Sequence, residues 1–198
     1  MNHTINTTIV LASSSPYRRQ VLEKLRLDFI ARSPEVDESR LSGENAQQLV
    51  VRLAQAKARA LQAEFPDALI IGSDQVAVCH GEILGKPGNF DNAKRQLAQS
   101  SGNSVRFETG LCLLNSKSGN VQTLCESFIV HFRALTEQQI QRYLEIEQPF
   151  NSAGSFKSEG LGICLFSKME GNDPNALIGL PLIQLTSMLA KEGIVLPL

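Results

Sequence analysis

Three serines and two arginines stand close together near the start of the chain, in the segment LASSSPYRRQVLEKL at positions 11–25. Ser15 and Pro16 are typical of a helix start, because serine caps free N–H groups and proline fits the first turn. Arg18 and Arg19 then fall in that first turn, where the helix dipole disfavours cations by roughly 0.3–1 kcal/mol each. The pattern indicates either solvated surface charges or an anion bound at the helix end.

The spacing places Arg18 on the buried side of this helix, one turn before the apolar positions Val21, Leu22 and Leu25. An inward arginine beside serine hydroxyls and free backbone N–H groups suits a phosphate group. A carboxylate partner for Arg18 is the alternative. Arg19 falls to the side of the helix, where we expect a solvated charge or a surface ion pair.

Two further charges occupy positions where apolar residues are expected. Lys57 falls within the apolar stripe of a long helix predicted over residues 44–64. The stripe consists of Leu49, Val50, Leu53, Ala54, Ala60 and Leu61. A buried ammonium must reach solvent, pair with a carboxylate or face a cleft. Asp74 stands inside LIIGSDQVAV, a run typical of a buried strand, and Gly72 on the same face would leave room for a ligand.

Together these residues predict an anion-binding pocket. Lys86, in the turn LGKP, adds a cation to Ser13, Arg18 and Lys57, and Asp74 supplies one carboxylate. Phosphoanhydride hydrolysis needs such a set, because cations or a metal neutralise developing charge and a base activates water. The pattern therefore favours a phosphate-handling enzyme.

The elements that would position these side chains alternate between strands and helices. Extended segments are predicted at 8–13, 28–33 and 67–79, in a hairpin at 104–114 and 121–133, and at the end of GSFKSEGLGICLF. Helices are predicted from Ser15, over 44–64, 90–100 and 136–147, and from Pro181 to about 192. Early strands alternate with helices, whereas the central hairpin is antiparallel, so we expect an α/β fold with a mixed sheet, in one domain of one or two lobes.

Composition narrows the class of protein. The 198 residues are 42% hydrophobic and 20% charged, as in a globular domain, and the net charge of −1 argues against a nucleic-acid partner. The four cysteines form no CxxC pair and only three histidines accompany them, so we expect no zinc site but buried thiols of a reducing cytosol. No apolar run approaches about 18 residues, so we expect a cytoplasmic protein without membrane contact.

Seven short motifs stand in this order within residues 8–190 of the chain: LASSSPYRR, SPEVDES, LAQAKA, IIGSDQV, GKP, AGSFKSEG and GLPL. The chain resembles the Maf-type nucleoside triphosphate pyrophosphatases, and most closely the subgroup that acts on 7-methyl-GTP. The resemblance implies one domain over residues 1–198, with a mixed curved sheet, flanking helices and two lobes around a central cleft, as in inosine triphosphatases. It implies cleavage of the α–β phosphoanhydride bond with Mg²⁺, Mn²⁺ or Co²⁺, and a homodimer.

The resemblance also assigns roles to residues. Asp74 would be the general base, and Ser13 and Arg18 would bind phosphate. The family's motif glutamate falls on Glu35, and its two lysines fall on Lys57 and Lys86. Metal ligands are not assigned by it, and Asp74 and Glu35 are the carboxylates to consider.

Three positions separate the subgroups of this family: Tyr17, Gln75 and Glu159. The subgroup acting on dTTP and UTP typically has arginine, threonine and glutamine there, and none of these is present. The 7-methyl-GTP subgroup has an aromatic residue, often tryptophan, at the first position, so tyrosine is a mild departure. N7-methylation makes guanine cationic, which favours an aromatic face and a carboxylate such as Tyr17 and Glu159. The alternatives are a dTTP and UTP pyrophosphatase, and a non-catalytic nucleotide-binding regulator of cell division.

Overall fold

The computed structural model describes residues 7–197. Its strands are β1 Thr8–Ala12, β2 Ile30–Arg32, β3 Ala68–Cys79, β4 Glu82–Leu84, β5 Ser104–Asn115, β6 Val121–Phe132 and β7 Phe166–Glu170. Its α-helices are α1 Pro16–Glu23, α2 Ala46–Ala60, α3 Phe90–Ser100, α4 Glu137–Glu147, α5 Pro174–Ile178 and α6 Leu182–Lys191. Two short 3₁₀ helices cover Ala153–Ser155 and Leu161–Leu165.

The seven strands form one mixed sheet in the order β2-β1-β3-β5-β6-β7, with β4 paired to β3. Strand β1 runs parallel to β2 and β3, whereas β4 is antiparallel to β3 and β7 is antiparallel to β6. The predicted α/β fold with a mixed sheet is therefore confirmed.

The chain divides into two compact units, and β3, β5 and β6 contribute residues to both. The first unit comprises the described residues through Asp74, Thr109–Glu126 and those from Gly179 onward. Its buried side chains include residues of β1, α2, β3 and β5 in one apolar cluster. The second unit comprises Gln75–Glu108 and Ser127–Ile178. Four phenylalanines pack edge to face in its core: Phe107, Phe132, Phe156 and Phe166.

Local capping explains where the first two helices begin. The Ser15 hydroxyl accepts a hydrogen bond from the Arg18 N–H (3.4 Å) at the start of α1, as its sequence predicts. Helix α2 begins after Asn45, which forms a reciprocal capping box with Gln48. The helix ends at Ala60, four residues earlier than predicted, and Ala60 is exposed although the predicted stripe includes it.

The segment that follows α4 differs from the prediction. Residues 161–165, expected to begin a strand, wind into a 3₁₀ helix, and β7 starts only at Phe166. The reason is a contact with α4, because the Leu161 N–H donates to the Glu147 carboxylate (2.9 Å) instead of to a neighbouring strand. Gly162 also packs against the Lys157 carbonyl, where a Cβ atom would lie only 2.3 Å away. Helix α5 is an additional element that the sequence patterns did not indicate.

None of the four cysteines forms a disulfide bond, and only part of the set is buried. Cys79 and Cys112 are buried as expected, Cys125 is half-buried, and Cys164 is exposed, contrary to the prediction. His3, one of the three histidines, lies outside the described residues. Within residues 7–197, no helix is long and apolar enough to cross a membrane.

Candidate active site

The centre of the candidate site is a buried ion pair between α2 and β3. The Lys57 ammonium lies 2.6 Å from Asp74 Oδ1, and each of the two residues is only 7% exposed. A second carboxylate, that of Glu38, also lies 2.6 Å from Lys57 Nζ, but its side chain is 55% exposed. Of the alternatives open to a lysine in an apolar stripe, pairing with carboxylates is therefore the one observed.

Close packing of α2 on β3 brings this pair together. At Gly72 a Cβ atom would lie 2.0 Å from the carbonyl oxygen of Ala54, so the helix backbone rests directly on the strand. Lys57 follows Ala54 by one helical turn and Asp74 follows Gly72 by two strand residues, so both point the same way from the contact. The expectation that Gly72 leaves room for a ligand is wrong, because the α2 backbone fills that space.

A second ion pair fixes the loop that carries Glu38. Arg52 donates to both carboxylate oxygens of Glu44, at 2.6 and 2.9 Å, and also to the carbonyl oxygen of Ser39 (3.0 Å). Arg40 donates to the backbone carbonyl of Glu44 (2.7 Å). The hydrogen bond from Arg52 lowers the pKa of Glu44, so this carboxylate is ionised at neutral pH. These contacts hold Ser39, and hence the neighbouring Glu38, against α2.

Arg18 lies beside Ser13, as the sequence predicts. Its Nε donates to the carbonyl oxygen of Gly179 (2.9 Å), and its Nη1 donates to Ser13 Oγ (3.5 Å), which also accepts from the Ser15 N–H (3.1 Å). Burial lowers the pKa of Arg18, although the charges of Asp74 and Glu38 raise it, and arginine stays protonated at neutral pH.

Arg18 and Arg19 differ in their ion pairs. Among residues 7–197, no carboxylate forms an ion pair with Arg18, so the carboxylate alternative is not observed. Arg19 pairs with Glu23 on the surface of α1 (3.2 Å), as expected for the arginine at the side of the helix. The inward arginine is therefore hydrogen-bonded to neutral oxygens, and the carboxylates of Asp74 and Glu38 act on it through their charge without forming an ion pair.

Two other predicted residues of the first unit stand near these elements in sequence but show no part in the ion pairs. Tyr17 is half-buried in the first turn of α1. Glu35 is exposed in the loop before α2, and the carboxylate that reaches Lys57 is that of Glu38, three residues later. The structure thus brings Glu38, rather than Glu35, to the buried pair.

Three predicted residues belong to the second unit: Gln75, Lys86 and Glu159. Gln75 donates its amide nitrogen to the carbonyl oxygens of two α5 residues, at 2.7 and 3.2 Å. Lys86 is exposed in the segment between β4 and α3. Glu159 is exposed and accepts a hydrogen bond from Ser158 Oγ (3.3 Å), within a loop that the Glu147 carboxylate holds at Leu161.

Sequence patterns missed three residues that contact the predicted set. Glu38 lies in the acidic stretch PEVDES, where spacing alone could not select among the carboxylates. Gly179 begins the motif GLPL, and Ser73 precedes Asp74, and only the structure shows that they meet near Arg18. Membership of the GLPL motif was the sequence feature that could have indicated a role for Gly179.

The carboxylates of Asp74 and Glu38 are the oxygen donors near the buried pair that could contribute to holding a divalent cation. Within the described residues, no group of three or more His, Cys, Asp or Glu side chains could hold a metal ion. Magnesium, however, uses oxygen ligands and is commonly bound by one or two carboxylates together with substrate phosphates. Asp74 and Glu38, which share the Lys57 ammonium, supply two such carboxylates.

Comparisons with known proteins show what the chain as a whole is similar to. The family described as "Maf-like protein" matches residues 8–192. A "7-methyl-GTP pyrophosphatase" from Alcanivorax borkumensis is 60% identical over 191 residues, covering 96% of this chain and 97% of that protein. One of the same name from Colwellia psychrerythraea is 59% identical over 187 residues, covering 94% of each chain.

A solved structure supports the fold. The Ham1 protein of Staphylococcus aureus aligns with a TM-score of 0.54 at 13% identity, over 94% of this chain and all of that chain. Similarity at 13% identity is evidence of the fold alone. The family match and the near-full-length relatives are evidence of common ancestry. On the match over residues 8–192, the chain belongs to the Maf family.

Proposed function

We propose that this chain, acting as a single domain over residues 1–198, is a metal-dependent nucleoside triphosphate pyrophosphatase for 7-methyl-GTP. It would cleave the α–β phosphoanhydride bond to give 7-methyl-GMP and pyrophosphate. The observation that carries the proposal is the buried Asp74 carboxylate, which lies 2.6 Å from the Lys57 ammonium. The negative charge of Asp74 also acts on Arg18. The names of the near-full-length relatives support the choice of substrate.

Asp74 is the proposed general base, which takes a proton from the water that attacks phosphorus. The Lys57 ammonium compensates the negative charge of this buried carboxylate and of the approaching phosphates. Arg18 and Ser13 would bind phosphate oxygens, because the guanidinium is protonated and its hydrogen-bond partners are neutral. We propose Lys86 as a further phosphate ligand on the family resemblance.

A divalent cation, Mg²⁺, Mn²⁺ or Co²⁺, would be held by Asp74 and Glu38 together with substrate phosphates. When bound, it neutralises negative charge on the triphosphate. We propose Glu38 for the main part of this role, because its carboxylate contacts Lys57. For Glu35, which the family resemblance assigns to the site, we propose a lesser part in the same acidic loop.

The base-recognition proposal rests on residue chemistry. Tyr17 offers an aromatic face to the cationic 7-methylguanine ring, and Glu159 offers a carboxylate that can also accept from the N1–H and amino edge. Gln75, whose amide nitrogen is held by α5, is proposed as the third specificity position. We propose a nucleotide as the substrate, without a nucleic-acid or membrane partner, and the homodimer and cytoplasmic location remain predictions.

Asp74→Asn tests the base. This substitution keeps the side-chain size and removes the acceptor of the proton, so we expect the turnover number to fall by about 10²–10⁴-fold in a protein that still folds. The unfolding temperature should also fall, because the buried Lys57 ammonium loses the charge of Asp74 and keeps that of the exposed Glu38. Pyrophosphate release measured with 7-methyl-GTP and Mg²⁺ reports the loss. Near-full turnover by a folded Asp74→Asn variant would falsify the mechanism.

A nucleotide panel tests the substrate. We expect the highest kcat/KM for 7-methyl-GTP among 7-methyl-GTP, GTP, dTTP and UTP. Equal values for 7-methyl-GTP and dTTP would refute the argument for base selectivity and favour the dTTP and UTP alternative. Binding of every nucleotide without pyrophosphate release in the presence of Mg²⁺ or Mn²⁺ would favour the non-catalytic regulator.

A further inference from the structure

The first residue of the motif GLPL, Gly179, carries a backbone carbonyl oxygen with two hydrogen-bond donors. One donor is Arg18 Nε at 2.9 Å, and the other is the hydroxyl of Ser73 at 2.8 Å. The motif has no role in the proposed chemistry, yet its carbonyl contacts the arginine that we assign to phosphate. All three residues belong to the first unit.

Ser73 is fully buried, with 0% of its surface exposed, and it immediately precedes Asp74 in β3. Its Oγ lies 2.9 Å from the carbonyl oxygen of Gly110 as well as 2.8 Å from that of Gly179. The single hydroxyl proton is therefore shared between these two carbonyls. The hydroxyl ties the strand that carries the proposed base to the carbonyl that holds Arg18.

Gly179 must lack a side chain for this contact. Its φ is +106°, a conformation that residues with a Cβ atom rarely adopt. A Cβ atom there would also lie 3.1 Å from Arg18 Nε, tighter than ordinary van der Waals contact. Glycine at this position thus allows the guanidinium to approach the backbone.

We propose that Ser73 and Gly179 are positioning residues that orient the Arg18 guanidinium toward the substrate phosphate. The Gly179 carbonyl takes the Nε–H of Arg18, so the two terminal nitrogens remain for Ser13 and for phosphate oxygens. Ser73 in turn holds the Gly179 carbonyl in place. This inference rests on the proposed function, because it takes Arg18 as a phosphate ligand.

Ser73→Ala tests the connection, with inorganic tripolyphosphate as a ligand that has no base. We expect the dissociation constant of tripolyphosphate and the KM for 7-methyl-GTP to rise by about tenfold, which corresponds to about 1.4 kcal/mol, while kcat falls less than about threefold. Ser116→Ala is the matched control, because that hydroxyl also donates to two backbone carbonyls in the same unit, those of Phe65 (2.6 Å) and Ala68 (3.0 Å). Whatever its stability, the control should bind tripolyphosphate with the affinity of the wild type.

A double-mutant cycle with Arg18→Ala separates positioning from general damage. If Ser73 acts through Arg18, adding Ser73→Ala to Arg18→Ala weakens tripolyphosphate binding no further. Multiplying effects, or unchanged affinity in a folded Ser73→Ala variant, would overturn the positioning role alone. Unchanged affinity in Arg18→Ala would overturn the phosphate role of Arg18, and the positioning role with it. If Ser73→Ala does not fold, Ser73→Cys keeps the volume with a weaker donor and is compared in the same way.

Discussion

Replacing Lys57 by methionine would leave the Asp74 carboxylate buried without its ammonium partner. The side chain of Asp74 is 10% exposed and that of Lys57 is 8% exposed, so water cannot take the place of the lost charge. Removing one partner of a buried ion pair typically costs about 3–5 kcal/mol. The lower end applies here, because the other partner of Lys57, Glu38, is 55% exposed and can be solvated. We therefore expect Lys57→Met to lower the free energy of unfolding by about 3 kcal/mol.

Urea unfolding at pH 7, followed by circular dichroism, measures this loss as a lower transition midpoint with an unchanged slope. Lys117→Met is the matched control, because Lys117 pairs with Asp67 at 2.7 Å with both side chains more than 60% exposed. Exposed pairs contribute about 0–1 kcal/mol, so the control should differ little from the wild type. Adding Asp74→Asn to Lys57→Met should recover part of the stability, because the unpaired buried charge is removed.

Equal stability of Lys57→Met and the wild type would refute this reasoning, since it would mean that Asp74 has a solvated or alternative environment. A loss as large in Lys117→Met would show that the measurement reports charge in general instead of burial. Failure of the double variant to recover stability would show that the methionine, and not the unpaired carboxylate, is the source of the loss.

Three further predictions concern the acidic loop, the contact of α2 with β3, and the thiols. Glu38→Gln should lower kcat/KM for 7-methyl-GTP at least about tenfold, because its carboxylate contacts Lys57, whereas Glu35→Gln should stay within about threefold, both measured by pyrophosphate release. Gly72→Ala should lower the free energy of unfolding by about 1–3 kcal/mol or more, because the added methyl group would lie 2.0 Å from a helix carbonyl. Burial raises the pKa of Cys112 from 9.0 to about 12, so its thiol should resist disulfide reagents at pH 8 in the folded protein, while the exposed Cys164 reacts.

The same raised pKa has a consequence for stability at alkaline pH. The Cys112 thiol ionises near pH 9 in the unfolded chain but only near pH 12 in the folded protein, so its contribution is complete below pH 9 and is lost between pH 9 and pH 12. Cys112→Ala should weaken the pH dependence of the unfolding free energy in that range.

Rapid labelling of Cys112 under native conditions would contradict its burial, and a wild-type melting temperature for Gly72→Ala would contradict the close contact. A larger effect of Glu35→Gln than of Glu38→Gln would reverse the assignment of the loop carboxylates.

Periodicity and local capping were sufficient to predict most elements of the fold. Ser15 and Pro16 mark the start of α1 through contacts within one turn, and the alternation of strands and helices indicates a mixed sheet. These features depend on residues a few positions apart, so the sequence contains the information directly. The 3₁₀ helix at 161–165 was missed because a carboxylate fourteen residues earlier, that of Glu147, takes the N–H of Leu161.

The sequence by itself determined the residue types of the candidate site: an inward arginine at a helix start, a lysine in an apolar stripe and an aspartate in a buried strand. Only the tertiary structure decided their partners. Lys57 meets Asp74 because the α2 backbone packs on Gly72, and Glu38 joins them because Arg52 and Glu44 hold its loop. The physical reason is that a charged residue at a buried position must have a partner, and the sequence pattern is enough to predict the buried position. Which partner it meets depends on which distant segments of backbone pack together.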